Sequence, residues 1–105
     1  VQVARDRKKM EMVAEKLKKK GRKSLEIEFD FAKEDKVEEY EKKIWMKVQG
    51  LDIAVLVNNA GIMALGYVSE AKEKDIYDMV RVNCYPMVIL TRLFLPQLIS
   101  RTRNQ

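Results

Sequence analysis

A chain of 105 residues is long enough for one small domain with a single modest core. Its 47% hydrophobic and 35% charged residues exclude a disordered or fibrous chain and describe a soluble globular one. There is no histidine, which removes His-based triads and most transition-metal sites. The single cysteine, Cys84, cannot form an internal disulfide, so a reducing compartment and no metal centre are expected.

The net charge of +5 is unevenly spread. Residues 1–23 hold ten Lys/Arg against three Asp/Glu, whereas the remainder holds eleven against thirteen. A basic end of this kind suits a phosphate-bearing partner, a nucleic acid or an anionic membrane, but more often it is the solvated face of a helix. Residues 5–23 lack interleaved aromatics, so no nucleic-acid partner is expected. No secretory signal is visible at the start. No run of 18 apolar residues occurs either, since the longest apolar stretch, 85–99, contains Arg92.

In chain order, residues 1–4 form a short apolar run. Met10, Val13, Ala14 and Leu17 then recur at helical spacing, with Asp6 placed as N-cap and Gly21 as a left-handed stop. Residues 24–31 alternate apolar Leu25, Ile27 and Phe29 with polar neighbours, the period of a strand. A second helix is predicted from about Glu34, with Val37, Tyr40, Ile44 and Val48 on one face and Gly50 as its stop. Residues 53–57 are continuously apolar, which predicts a strand buried on both faces, as in parallel sheets. A loop with Gly61 and Gly66 leads to a long third helix over about 74–101. Pro86 should kink that helix beside Asn83, and Pro96 should weaken it again. Strands alternating with helices predict an α/β fold with a parallel sheet and right-handed crossovers.

The string Leu56-Val57-Asn58-Asn59-Ala60-Gly61 carries the chemistry. A buried strand ending in two amides and a small, flexible pair brings backbone close to a ligand at the sheet's carboxyl edge, where doubly wound folds bind cofactors. An Asn-Asn pair alone is ordinary turn chemistry. The full string after an apolar strand closely resembles the short-chain dehydrogenase/reductase family, and the likeness extends over essentially all 105 residues.

The resemblance implies roles at further positions. Arg5, after the first strand, matches the basic residue that meets the adenosine 2′-phosphate of NADP(H); a planar guanidinium suits both phosphate and adenine. Asp30 and Phe31 match the Asp-apolar pair at the adenine edge. Asn58, Asn59, Ala60 and Gly61 would lie beside the cofactor. Asn83 matches the asparagine of the family's Asn-Ser-Tyr-Lys catalytic set. Gly50-Leu51-Asp52-Ile53 and Leu95-Pro96 resemble the branch of microsomal hydroxysteroid dehydrogenases and very-long-chain 3-oxoacyl-CoA reductases, although Ala60 stands where that branch often has Val. That likeness implies a lipid or steroid ketone as substrate, an endoplasmic reticulum setting and a homodimer through the long helix.

Other parts of the family pattern do not occur here. None of Gly21, Gly50, Gly61 and Gly66 belongs to a Gly-x-Gly-x-x-Gly turn for the pyrophosphate. Gly61 and Gly66 have P-loop spacing, but Tyr67 takes the lysine position, which excludes a triphosphatase of that type. Four residues after Tyr40, Tyr67, Tyr77 and Tyr85 stand Ile44, Ala71, Arg81 and Ile89, so no Tyr-x-x-x-Lys pair exists. The expected architecture is therefore a partial Rossmann-type sheet holding strands two to four of the family order, without its first strand or C-terminal half. In the order 3-2-1-4 the third strand here would lack its usual neighbour, and the isolated chain is not expected to fold stably in the parent arrangement. The alternative reading is a non-catalytic interaction module with an apolar face on the long helix.

Overall fold

A computed structural model describes residues 1–103, with side chains described as far as Arg101. It divides into two compact units, Val1–Phe31 and Ala32–Gln105.

The first unit is β1 (Gln2–Ala4), α1 (Arg7–Lys19) and β2 (Glu26–Glu28). The strands pair in parallel, with Gln2 opposite Glu26, Val3 opposite Ile27 and Ala4 opposite Glu28. Parallel neighbours cannot be joined by a tight turn, and α1 supplies the crossover. Local chemistry fixes both ends of α1. Asp6 has extended backbone and its carboxylate accepts the Lys9 N–H at 3.1 Å. That bond, more than the charge of Lys9, holds the Asp6 carboxyl below its usual range. At the other end Gly21 takes φ +69°, and the N–H groups of Gly21 and Arg22 donate to the Lys18 and Leu17 carbonyls, both at 2.9 Å. This paired closure satisfies two otherwise orphaned carbonyls.

The period-two reading of residues 24–31 holds for Ile27 and Phe29, 1% and 3% exposed, but Leu25 is 38% exposed and the strand itself is only Glu26–Glu28. The helical stripe is narrower than predicted. Met10 is buried at 3% exposure, Ala14 and Leu17 are half-buried, and Val13 is 44% exposed.

The second unit begins with a helical run of α2 (Val37–Tyr40), a π-helical turn (Glu41–Trp45) and α3 (Met46–Val48). The wide turn has a packing consequence. Tyr40, Ile44 and Val48 repeat every four residues, and at 3.6 residues per turn the third would lie about 80° round from the first. A π turn, with more residues per turn, reduces that drift, and all three side chains are at most 1% exposed. They form the core with Val82, Ile89, Leu90 and Phe94. Trp45 meets Phe94 edge to face, with centroids 5.1 Å apart and an interplanar angle of 89°. The long helix therefore packs on another helix.

That long helix is two: α4 (Glu73–Asn83) and α5 (Tyr85–Arg103), separated at Cys84. Pro86 lies in the first turn of α5, where a missing N–H costs little, so it starts a new helix beside Asn83. Pro96 behaves otherwise. The helix continues through it, because the Arg92 carbonyl it leaves unbonded belongs to an exposed residue on the solvent side. Cys84 is exposed at the break. Glu73–Arg101 is long and apolar enough to cross a membrane by length and composition, but Leu90 and Phe94 pack inside this chain.

The predicted strand at 53–57 is the main correction. Among the described residues only β1 and β2 form a sheet, and 53–57 has no ladder partner. Val55 and Val57 are 73% and 76% exposed. Continuous apolarity recorded the burial such a segment needs, whereas a strand also needs a neighbour, and none is supplied.

Gly21→Ala places a Cβ in open space but at a left-handed φ, so it should cost about 1 kcal/mol in urea unfolding followed by circular dichroism. Gly50→Ala, in open space at an ordinary φ, should cost nothing measurable. Tyr40 supplies a pH test. Burial, and then the charges of Asp35 and Glu34, push its phenol up to about 12. An unfolded tyrosine ionises near 10, so this stabilisation is complete below about 10 and is lost between about 10 and 12. Tyr40→Phe should remove that alkaline loss.

Candidate functional site

The first unit brings together two of the residues singled out in the sequence. Ala4 and Glu28 are in register at the carboxyl ends of β1 and β2. Arg5 and Asp30 therefore leave from the same edge of the sheet, tied there by the Phe29 N–H to Ala4 carbonyl bond at 3.0 Å. Arg5 is exposed and Asp30 half-buried. Phe31 is 8% exposed, with its ring 5.2 Å from that of Phe29. Its side chain serves the core, which makes Asp30 the polar member of the pair.

The second unit gathers the others along the α4–α5 junction. Asn83, the last residue of α4, turns its side-chain amide onto the backbone of Ile62. Its Oδ1 accepts the Ile62 N–H at 2.8 Å, and its Nδ2 donates to the Ile62 carbonyl at 2.9 Å. One carboxamide thus occupies both backbone groups of one residue, as a neighbouring strand would. Asn58 Nδ2 donates to Thr91 Oγ1 at 3.2 Å. Further along, Gln97 Nε2 donates to the Leu51 carbonyl at 2.6 Å and Arg101 pairs with Asp52 at 2.9 Å. The segment 51–62 therefore runs antiparallel to the two helices, held by side chains and not by a sheet.

The φ of Gly61 is not in the left-handed region, which Gly21 and Gly66 occupy. A Cβ at Gly61 would stand 3.4 Å from Asn83 Oδ1, an ordinary contact distance, so glycine here lies close against the helix without being required by the packing. Asn59 and Ala60 are exposed beside it. The loop therefore offers backbone and amide groups to a ligand while its shape is fixed from behind by Asn83 and Thr91.

Sequence reasoning singled out Asn83 but not the residue it holds, Ile62, because a backbone partner leaves no mark in residue type. Thr91 was also missed. Its spacing offered a signal: eight residues after Asn83, about two turns on, it can reach the same segment.

Comparison with known proteins covers the whole chain. Residues 1–105 match the short chain dehydrogenase family. The chain is 35% identical over 109 residues to 17-beta-hydroxysteroid dehydrogenase type 3 of Danio rerio, covering 97% of this chain and 34% of that protein. It is 32% identical over 101 residues to the 3-oxoacyl-[acyl-carrier-protein] reductase FabG of Staphylococcus epidermidis, covering 96% of this chain and 41% of the relative. To the Homo sapiens very-long-chain 3-oxoacyl-CoA reductase it is 30% identical over 109 residues, covering 99% of this chain and 34% of that enzyme. The chain thus spans 34% to 41% of the length of these curated relatives. No solved structure matches. With the family's fold implied by the match and the α/β unit and amide-braced loop in place, the chain belongs to the short-chain dehydrogenase family.

Proposed function

We propose that these residues form the cofactor-side portion of an NADP(H)-dependent oxidoreductase that interconverts ketones and alcohols on steroid or long-chain 3-oxoacyl substrates. The observation that carries this reading is the loop of Asn58, Asn59, Ala60 and Gly61, braced by the two bonds between Asn83 and Ile62. Family membership supports the oxidoreductase class. The substrate class rests on the likeness to a 17-beta-hydroxysteroid dehydrogenase and a very-long-chain 3-oxoacyl-CoA reductase.

By the family resemblance, each unit would carry residues for a different part of the cofactor, and neither carries a cradle for the pyrophosphate. Arg5 would bind the 2′-phosphate and stack on adenine, with Asp30 and the backbone of Phe31 at the adenine edge. Asn58, Asn59, Ala60 and Gly61 would border the cofactor, with Asn83 behind them. Asn83 would hold that loop still during the reaction and orient polar groups near the carbonyl. The nicotinamide, when bound, supplies hydride to the substrate carbonyl. The matching proton comes in this family from a tyrosine that these 105 residues do not contain with its lysine partner. No glycine-rich turn for the pyrophosphate occurs here either. We therefore expect no turnover from this chain alone.

A homodimer through the long helix fits the exposure of Val80, Met87, Val88 and Leu95, each at least 45% exposed. The same surface supports the second reading, a non-catalytic interaction module. The two differ in whether an enzyme carrying this stretch needs Arg5 for its cofactor.

In an enzyme that joins this stretch to the glycine-rich turn and the Tyr-x-x-x-Lys pair, Arg5→Leu should weaken NADPH binding by about tenfold or more and leave NADH nearly unchanged. Equal losses would mean that Arg5 does not read the 2′-phosphate. For the chain by itself, titration followed by Trp45 fluorescence should show NADPH binding no tighter than about 1 mM. Tighter binding would contradict the reading that the pyrophosphate lacks its cradle here.

A further inference from the structure

The basic end of the chain is not evenly charged around α1. At about 100° per residue, Lys9, Met12, Val13, Lys16 and Lys20 fall on one arc of the helix, with Lys20 in the capping turn. All five are exposed, Met12 at 62% and Val13 at 44%. The acidic residues of this helix, Glu11 and Glu15, fall outside that arc, and Glu11 pairs with Arg7 at 3.0 Å. Asp6 lies 3.6 Å from Lys9 at the start of the arc. From Lys16 to Lys23 no acidic residue interrupts the cations, and no ion pair is found for Lys16 or Lys20 among the described residues. The buried side of the helix, marked by Met10, lies elsewhere on its circumference.

We propose that this face of α1 docks on the surface of an anionic lipid bilayer. Two features favour lipid over nucleic acid. Met12 and Val13 stand amid the lysines, where a bilayer interface accepts apolar side chains between headgroups. The cations of the arc are lysines, compact point charges suited to a diffuse anionic surface; stacking aromatics and arginine forks, which read nucleic acids, are absent from it. The lysine stems lie along the interface while their ammonium groups reach lipid phosphates and carboxylates. The turn at Gly21 carries Arg22 and Lys23 on beyond the end of the helix. Docking by α1 rests on the geometry of the first unit, so it stands or falls separately from the cofactor reading.

Flotation of the 105-residue chain with vesicles tests this, because aggregated protein sinks while vesicle-bound protein rises. Phosphatidylcholine vesicles with about 30% phosphatidylserine should carry the chain at about 0.1 M salt and release most of it at about 0.5 M, where screening shortens the reach of each charge. Vesicles of phosphatidylcholine alone should carry little. Lys16→Gln with Lys20→Gln should weaken the interaction by about twentyfold, near fivefold for each lysine. Met12→Ser with Val13→Ser should weaken it by about threefold or more while the salt dependence remains. Circular dichroism of each variant checks that α1 persists, and the salt series on the unaltered chain requires no variant. Equal flotation with both vesicle types would assign binding to apolar surface elsewhere and overturn the proposal. It would also be overturned by no flotation, or by duplex DNA stripping the chain from anionic vesicles at equal phosphate.

Discussion

The path of the amide-rich loop at Ile62 depends on one side-chain amide. Asn83 occupies both backbone groups of Ile62, and this fixes where the amide-rich loop runs. Two hydrogen bonds of this kind are worth about 1 kcal/mol each at most, less when water competes for them. Their importance is geometric. They hold an extended segment against a helix without any strand beside it. The helix break contributes as well. Because α4 ends at Asn83 and α5 starts afresh at Tyr85, the asparagine sits at a terminus, where its side chain can reach outward instead of lying against the next turn.

The same arrangement explains the apolar surface. Residues 51–62 are anchored at Leu51, Asp52, Asn58 and Ile62, all by side chains on α4 and α5. Between the anchors Val55 and Val57 project into solvent. Hydrophobic residues placed for burial on two faces thus remain uncovered, together with much of the α4–α5 surface. The core of the unit lies instead among helices, where the π turn keeps Tyr40, Ile44 and Val48 turned the same way.

How much of this could be read from the residues depends on the range of the interaction. Asp6 as cap, Gly21 as stop and the break near Pro86 were all legible, since each acts within a few residues through backbone sterics or a single local bond. The alternation of Ile27 and Phe29 was legible for the same reason. The strand at 53–57 was not realised, because pairing is a property of two segments and composition describes only one. The π turn left a trace only in the four-residue repeat of buried positions. Val13 looked like core and is exposed, since the first unit offers little to cover a second helical row. In the site, Asn83 and the Asn58 to Gly61 string stood out by residue type, whereas Ile62 contributes only backbone and could not.

Backbone amide exchange at Ile62 interrogates the brace most directly. If the Asn83 carboxamide holds the loop, Asn83→Ala should raise Ile62 exchange by about tenfold, and Asn83→Asp should also raise it by setting a carboxylate against the Ile62 carbonyl. Exchange at Val82, inside α4, should stay as it was. Unchanged protection of Ile62 in both variants would mean that something other than Asn83 shapes the loop, and the account of the site would fail.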